Sequence, residues 1–237
     1  MKSAVTFFLL FLLFFSLKAA AQLNIPSQQV LLYPESFFIR RPDVDREEDF
    51  NKKEISLTFD DGPDPENTEF ILDILREKEV KATFFLLGKK VAKYPELVKK
   101  IYQEGHQIGN HSWTHSNFQY LDDFQILKEE IFPASELIAE LTGTYPVILR
   151  PPYGIINNKT IELLSDKQWK IVMWSIDPYD WRFEAEEIIR RTKRYSHPGG
   201  IILLHCTGEN TVEALPVIID FLLAEGYIFK RIDELLF

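Results

Sequence analysis

From residue 54 onward, apolar and polar side chains alternate: Ile55, Leu57 and Phe59 against Ser56, Thr58 and Asp60, ending at Asp61-Gly62-Pro63. That period of two marks a strand with a buried face, closed by a turn. Helical windows at 70–78 and 95–104 then lead to short apolar runs at 82–87 and 106–109. A longer window, 122–141, is interrupted at Pro133 and stopped by Gly143 before the run 147–149. Windows at 159–167, 185–194 and 212–225 lead in turn to 170–176, 201–204 and 227–230, with Gly199-Gly200 and Gly226 at two of the joins. Seven strands in strict alternation with helices predict a parallel sheet with right-handed crossovers. An open doubly wound sheet and a closed barrel both satisfy this pattern, and both put their chemistry at the carboxyl ends of the strands.

Upstream of residue 54 the pattern is different. Met1 and Lys2 precede an apolar run from Ala4 to Leu17, then Lys18 and Ala19-Ala20-Ala21-Gln22. This order predicts an export signal cleaved after Ala21. The alternative is a retained anchor, but the run falls short of the ~20 apolar residues of a spanning helix. Residues 22–53 show no sustained period, and 40–49 is charged and punctuated like an exposed lead-in. The expected organisation is therefore a leader (1–21), a lead-in (22–53) and one domain (54–237).

Composition narrows the class. Of 237 residues 46% are hydrophobic and 27% charged, enough apolar mass for one core, which excludes a disordered, collagenous or disulfide-built chain. The net charge is −9. Losing residues 1–21 removes two lysines and no acid, leaving 25 bases against 36 acids, or −11. Such a surface repels phosphate backbones and argues against nucleic-acid partners. Cys206 is the single cysteine, so no internal bridge forms, and it reads as a small buried strand residue. The first strand is followed by no Gly-rich phosphate loop.

The expected strand ends carry Asp60 and Asp61, His111 with His115, Arg150, Asp177 with Asp180, and His205. Asp61 with the His-x-x-x-His pair forms a plausible three-ligand metal site with a position left open. One of the two aspartates could instead cap the turn before Gly62-Pro63. Trp169 and Trp174 read as core residues; His106 and His197 receive no role.

Five stretches carry a resemblance: Thr58-Phe59-Asp60-Asp61-Gly62-Pro63, His111-Ser112-Trp113-Thr114-His115, Arg150-Pro151-Pro152-Tyr153-Gly154, Asp177-Pro178-Tyr179-Asp180-Trp181 and Leu203-Leu204-His205. In this order and spacing, over roughly residues 54–230, the chain resembles the NodB-type polysaccharide deacetylases, carbohydrate esterase family 4. The resemblance implies an α/β fold, a distorted (β/α)7 barrel, and removal of N- or O-acetyl groups from a glycan such as peptidoglycan or a chitin-like polymer. It further implies that Asp60 is the general base and that Asp61, His111 and His115 hold a divalent metal, commonly zinc. Arg150 is expected to tether Asp60, and Asp180 to orient His205, the general acid. Tyr153 is expected to offer its backbone N–H to the oxyanion, with Trp181 and Leu203 walling the acetyl pocket.

These roles make physical sense, because amide hydrolysis needs an activated water, a stabilised oxyanion and a proton for the departing amine. Two other classes compete. A catalytically silent carbohydrate-binding protein on the same fold has no need of both Asp60 and His205. An oxygen-activating iron site built from the same triad lacks a cosubstrate clamp beyond Arg150. The leading expectation is an exported, metal-dependent polysaccharide deacetylase, with its glycan as partner, no stable membrane span after signal cleavage, and no protein partner implied.

Overall fold

The computed structural model describes residues 52–165 and 167–236. The expected leader lies outside the described residues, as does all of the lead-in but Lys52 and Lys53.

All strand pairs are parallel. β1 (Glu54–Gly62) lies between β2 (Thr83–Leu86) and β6 (Gly200–His205), and the path continues from β2 through β3 (Gln107–Asn110) and β4 (Ile148–Leu149) to β5 (Lys170–Ile171). The expected strand 170–176 is regular only over its first two residues. Its start pairs with β4, with the Val172 N–H donating to Leu149 O, while Ser175 and Ile176 N–H donate to Ile201 O and Leu203 N–H to Ile176 O. One segment thus serves two neighbours in succession, and a parallel bridge between Ile176 and Ile202 closes the ring. β7 (Ile228–Phe229) touches only the beginning of β1. Six strands complete the circuit and the seventh is an attachment, which is the distortion of the (β/α)7 barrel.

The alternation in β1 is the reason the barrel has two different layers. Ile55, Leu57 and Phe59 point outward and are fully buried against Ile71, Leu72 and Leu75 of α1 (Asn67–Glu77) and Ala214, Leu215, Ile218 and Ile219 of α7 (Glu209–Ala224). Each such side chain contributes roughly 1.5–3 kcal/mol. Ser56, Thr58 and Asp60 point inward and are also buried. The lower interior is apolar, filled by Phe85, Ile148, Val172, Ile201 and Ile232. Ile232 belongs to α8 (Ile232–Leu236), whose first N–H donates to Thr83 Oγ1. This short C-terminal plug carries too little periodicity to be read from sequence.

The remaining helices are α2 (Gly88–Lys93), α3 (Pro95–Gln103), α4 (Phe132–Thr142), α5 (Asn158–Ser165) and α6 (Ala185–Tyr195). The single window expected over 122–141 divides. A capping box between Asp122 and Gln125 starts it, Ile126–Ile131 is wound as a π-helix, and α4 follows with Pro133 in its first turn. Pro133 lacks the N–H that an α ladder would bring to the carbonyl of Glu129. Gly143 (φ 73°) ends α4 in the left-handed conformation, as glycine does most readily. Among the described residues no helix is long and apolar enough to cross a membrane.

Candidate active site

Two adjacent aspartates reach one site because β1 breaks its alternation at its end. The pairing register with β2 shifts between Phe59 and Gly62, and Asp61 has φ 64°. Asp60 points inward and Asp61 is turned beside it. Their carboxylates lie 3.7 Å (Asp60 Oδ2) and 3.5 Å (Asp61 Oδ1) from His111 Nε2. In the turn that follows it is Asp64 whose side chain accepts backbone N–H groups, those of Glu66 and Asn67.

Asp61, His111 and His115 form a compact donor set, with their ligand atoms all within 4.8 Å of one another. His115 Nε2 is 3.4 Å from Asp61 Oδ1. That oxygen is buried and has no hydrogen-bond partner, an expensive state for a carboxylate unless a cation satisfies it. His111 Nδ1 donates to Arg150 O at 2.7 Å, which fixes the tautomer and leaves the Nε2 lone pair facing Asp61. Burial pushes His115 below the usual imidazole range, and Asp61 opposes that shift. A buried, orphaned carboxylate oxygen beside two imidazole nitrogens fits a divalent cation, so the residues suit the metal that the resemblance implies.

Arg150 lies at the seam of the barrel and is completely buried. Its Nη1 donates to Asp60 Oδ1 and Thr58 Oγ1, both at 2.8 Å, while Nε and Nη2 donate to the carbonyls of Val172 and Met173 at 3.2 and 3.0 Å. Those carbonyls lie in the irregular stretch where the wall passes from β4 to β6. The guanidinium stacks on Phe85 at 4.2 Å, with Trp174 at 5.6 Å. One side chain therefore closes the wall and holds Asp60.

Asp180, also buried, accepts from His205 Nδ1 and the His205 N–H, both at 2.7 Å, and from Thr211 Oγ1 at 2.6 Å. Burial opposes the charged imidazolium of His205, but the hydrogen bond and charge of Asp180, joined by Asp60 and Asp61, outweigh it and raise the pKa to about 9. Leu203 and His205 share the inward face of β6, and Leu203 is buried, whereas Trp181 is exposed with its ring 5.9 Å from that of Tyr179. Asp177 accepts from the Tyr179 N–H; burial, first among its causes, raises its carboxyl above the usual range.

Tyr153 sits in a short turn, Pro152–Gly154, with φ 58°, its ring 4.6 Å from that of His115. Of seven non-glycine residues with positive φ among those described, five are here: Asp61, Ser112, His115, Tyr153 and Tyr179. Each costs about 1–3 kcal/mol and persists only where its surroundings enforce it. Such clustering marks a functional site. Thr58, Thr211, Glu130 and Lys90, whose Nζ donates to Asp61 O, take part in the site but were not singled out by sequence. Each acts through a contact with a residue that the sequence does not place beside it.

The residues without expected roles lie elsewhere. His106 is buried at the opposite end of the barrel, its Nδ1 accepting the Ala82 N–H, and burial lowers its pKa to about 4. His197 is exposed. Trp169 is buried with Phe118 and Leu164, and Trp174 packs on the interior cluster. Cys206 is buried on the outward side, where burial raises its thiol well above the usual range.

An arginine-held carboxylate, an imidazole paired with a second carboxylate, and a donor set that suits a cation stand together at the mouth of a β/α barrel, as in hydrolases that work by proton transfer. The comparisons name the family. Residues 47–172 match the model for polysaccharide deacetylase, and the chain belongs to that family. It is 40% identical over 191 residues to a peptidoglycan-N-acetylglucosamine deacetylase of Bacillus cereus, covering 78% of this chain and 69% of that protein. Among solved structures it is similar to the Bc1960 peptidoglycan N-acetylglucosamine deacetylase (39% identity, TM-score 0.77, 79% of this chain and 89% of that one). It is also similar to a mutant of BA3943, a pseudoenzyme of carbohydrate esterase family 4 from Bacillus anthracis with restored activity (36% identity, TM-score 0.75, 79% and 69%).

Proposed function

We propose that this protein is an exported deacetylase that hydrolyses the acetamido groups of a peptidoglycan-type glycan with the help of a divalent metal. The observation that carries the proposal is the company kept by one orphaned carboxylate, Asp61: its neighbour Asp60 is held by Arg150, and His205, the register partner of Asp60 on β6, is held by Asp180. Asp61, His111 and His115 would hold the metal, and zinc suits two imidazoles and one carboxylate. When bound, it would polarise the acetyl carbonyl and acidify the attacking water.

Asp60, held by the adjacent guanidinium, accepts the proton of that water as its oxygen bonds to the acetyl carbon. The backbone N–H of Tyr153 donates to the developing oxyanion. His205 enters protonated and gives its proton to the sugar nitrogen as the C–N bond breaks, leaving acetate and a free amine. Asp180 keeps the ring oriented with Nε2 toward that nitrogen. Leu203 and Trp181 wall the space for the acetyl methyl. Export follows from the leader-like residues 1–21 and from a substrate that lies outside the cytoplasm.

The BA3943 comparison keeps the silent carbohydrate-binding reading in view; the presence of both Asp60 and His205, each with its partner, supports turnover. Acetate release from peptidoglycan, chitin-like oligomers and acetylated xylan, with and without a chelator, decides the matter. Release from peptidoglycan that chelation abolishes is expected. Binding without acetate from any of them would establish the silent alternative.

A further inference from the structure

The loop carrying both imidazoles, His111–His115, contains two left-handed residues, Ser112 (φ 75°) and His115 (φ 67°). Such a loop does not hold its shape unaided. On one side its carbonyls are taken by the start of α2, with Gly88 N–H donating to Ser112 O at 2.9 Å and Lys89 N–H to Trp113 O at 3.1 Å. Gly88 is glycine because the Trp113 ring lies where its Cβ would be, 2.2 Å from the nearest ring carbon.

On the other side stands one carboxylate. Glu130 is 5% exposed. Its Oε2 accepts the N–H groups of Trp113 and Thr114 at 2.9 and 2.8 Å, and its Oε1 accepts Thr114 Oγ1–H at 2.6 Å. All three donors belong to the loop. Glu130 also lies within the π-helix Ile126–Ile131, a form that is rare and recurs at functional sites. The altered winding brings Glu130 inward, while its neighbour Glu129 stays exposed.

We propose that Glu130 is a positioning residue for the metal site: by gripping the two peptide N–H groups just before His115, it sets His115 Nε2 against His111 and Asp61. The inference rests on the metal reading above. Chelator competition with Zn²⁺ on the whole protein, alongside apo melting temperature, tests it in Glu130→Ala, Glu130→Asp and Glu130→Gln. In Glu130→Ala both N–H groups lose their acceptor, and zinc affinity is expected to fall about 10- to 100-fold, as when the hydrogen-bond partners behind a metal ligand are removed. Glu130→Asp keeps the charge but is one methylene short, and should also bind zinc weakly. Glu130→Gln should restore affinity close to the parent, since its carbonyl accepts both N–H groups and its NH₂ can donate to Thr114 Oγ1. A parent protein that binds no zinc would overturn the metal reading and this inference with it. A zinc-binding parent beside a folded Glu130→Ala of equal affinity would overturn this inference alone, even if that variant melted lower. Should Glu130→Ala not fold, the same comparison with Glu130→Asp decides.

Discussion

Replacing Asp180 by Asn separates charge from shape at the His205–Asp180 pair. In the parent, His205 is displaced from the ordinary imidazole value of 6.5 to about 9, a preference for the charged ring of about 3 kcal/mol. Burial alone pushes the ring the other way, so the elevation comes from carboxylates, chiefly the Asp180 oxygen 2.7 Å from Nδ1. Asn can still accept from Nδ1–H, but it carries no charge, and its NH₂ replaces the one oxygen that accepts both the His205 N–H and Thr211 Oγ1; the hydroxyl can turn to accept, the N–H cannot. Titration of His205 should therefore move down from about 9 toward the ordinary imidazole range, with Asp60 and Asp61 still opposing burial. At pH 8 the parent ring is about 90% protonated, and the variant's protonated fraction should be clearly smaller. Stability shifts in the corresponding direction: a raised imidazole stabilises the fold fully below pH 6.5, and that contribution disappears as pH rises through about 9. The variant should lack it, so its deficit relative to the parent should be large at about pH 6 and shrink by about pH 10, leaving about 1–3 kcal/mol for the unsatisfied donor at either pH. The assay is an imidazole NMR titration of metal-free protein, with urea unfolding at about pH 6 and about pH 10, on either side of the window. Adding zinc should lower the parent's His205 titration, since a cation opposes a second charge nearby. If His205 titrates at the same pH in the Asp180→Asn variant as in the parent, the assignment of the elevation to that carboxylate is wrong.

Asp60→Asn should bind metal like the parent yet lose about 10²- to 10⁴-fold in turnover, because an amide accepts no proton; parental hydrolysis in the folded variant would remove Asp60 from the mechanism. Asp61→Asn, His111→Ala and His115→Ala should each lose metal and activity together, and stoichiometric zinc retained by all three would refute the ligand set. Arg150→Met leaves Asp60 buried beside two unpaired carbonyls, so unfolding should become easier by about 3–5 kcal/mol; a melting temperature equal to the parent's would contradict its place in the barrel wall. N-terminal sequencing of secreted protein should begin near Gln22, whereas recovery of Met1 in a membrane fraction would indicate an anchor.

Much of this was legible in the chain because strand ends and metal-type spacings are local. The period of two in 55–59 locates both the buried face of β1 and the inward row ending at Asp60. The His-x-x-x-His spacing, the Arg150 turn and His205 are likewise visible where they stand. What the sequence hides is the partner that arrives from elsewhere. Glu130 looks like one more acid on a helical window until the π-turn carries it to Trp113 and Thr114. Thr211 is an ordinary helix residue until it donates to Asp180, 31 positions away. The run 170–176 reads as a continuous strand because its residues are strand formers, yet ring closure divides its hydrogen bonds between two neighbours.

The direction of β1 also determines how the protein can be presented to a surface. Residues before 54 join the domain at the amino end of that strand, and Asp60 stands six residues further on, roughly 20 Å away at strand rise. The chain thus enters β1 at the base of the barrel, with the candidate site at the far end of that strand. A tether there leaves the mouth free to face outward and meet a polymer strand from the side away from its attachment. A fusion made at that end should leave glycan access intact, whereas one that crosses the mouth would obstruct it.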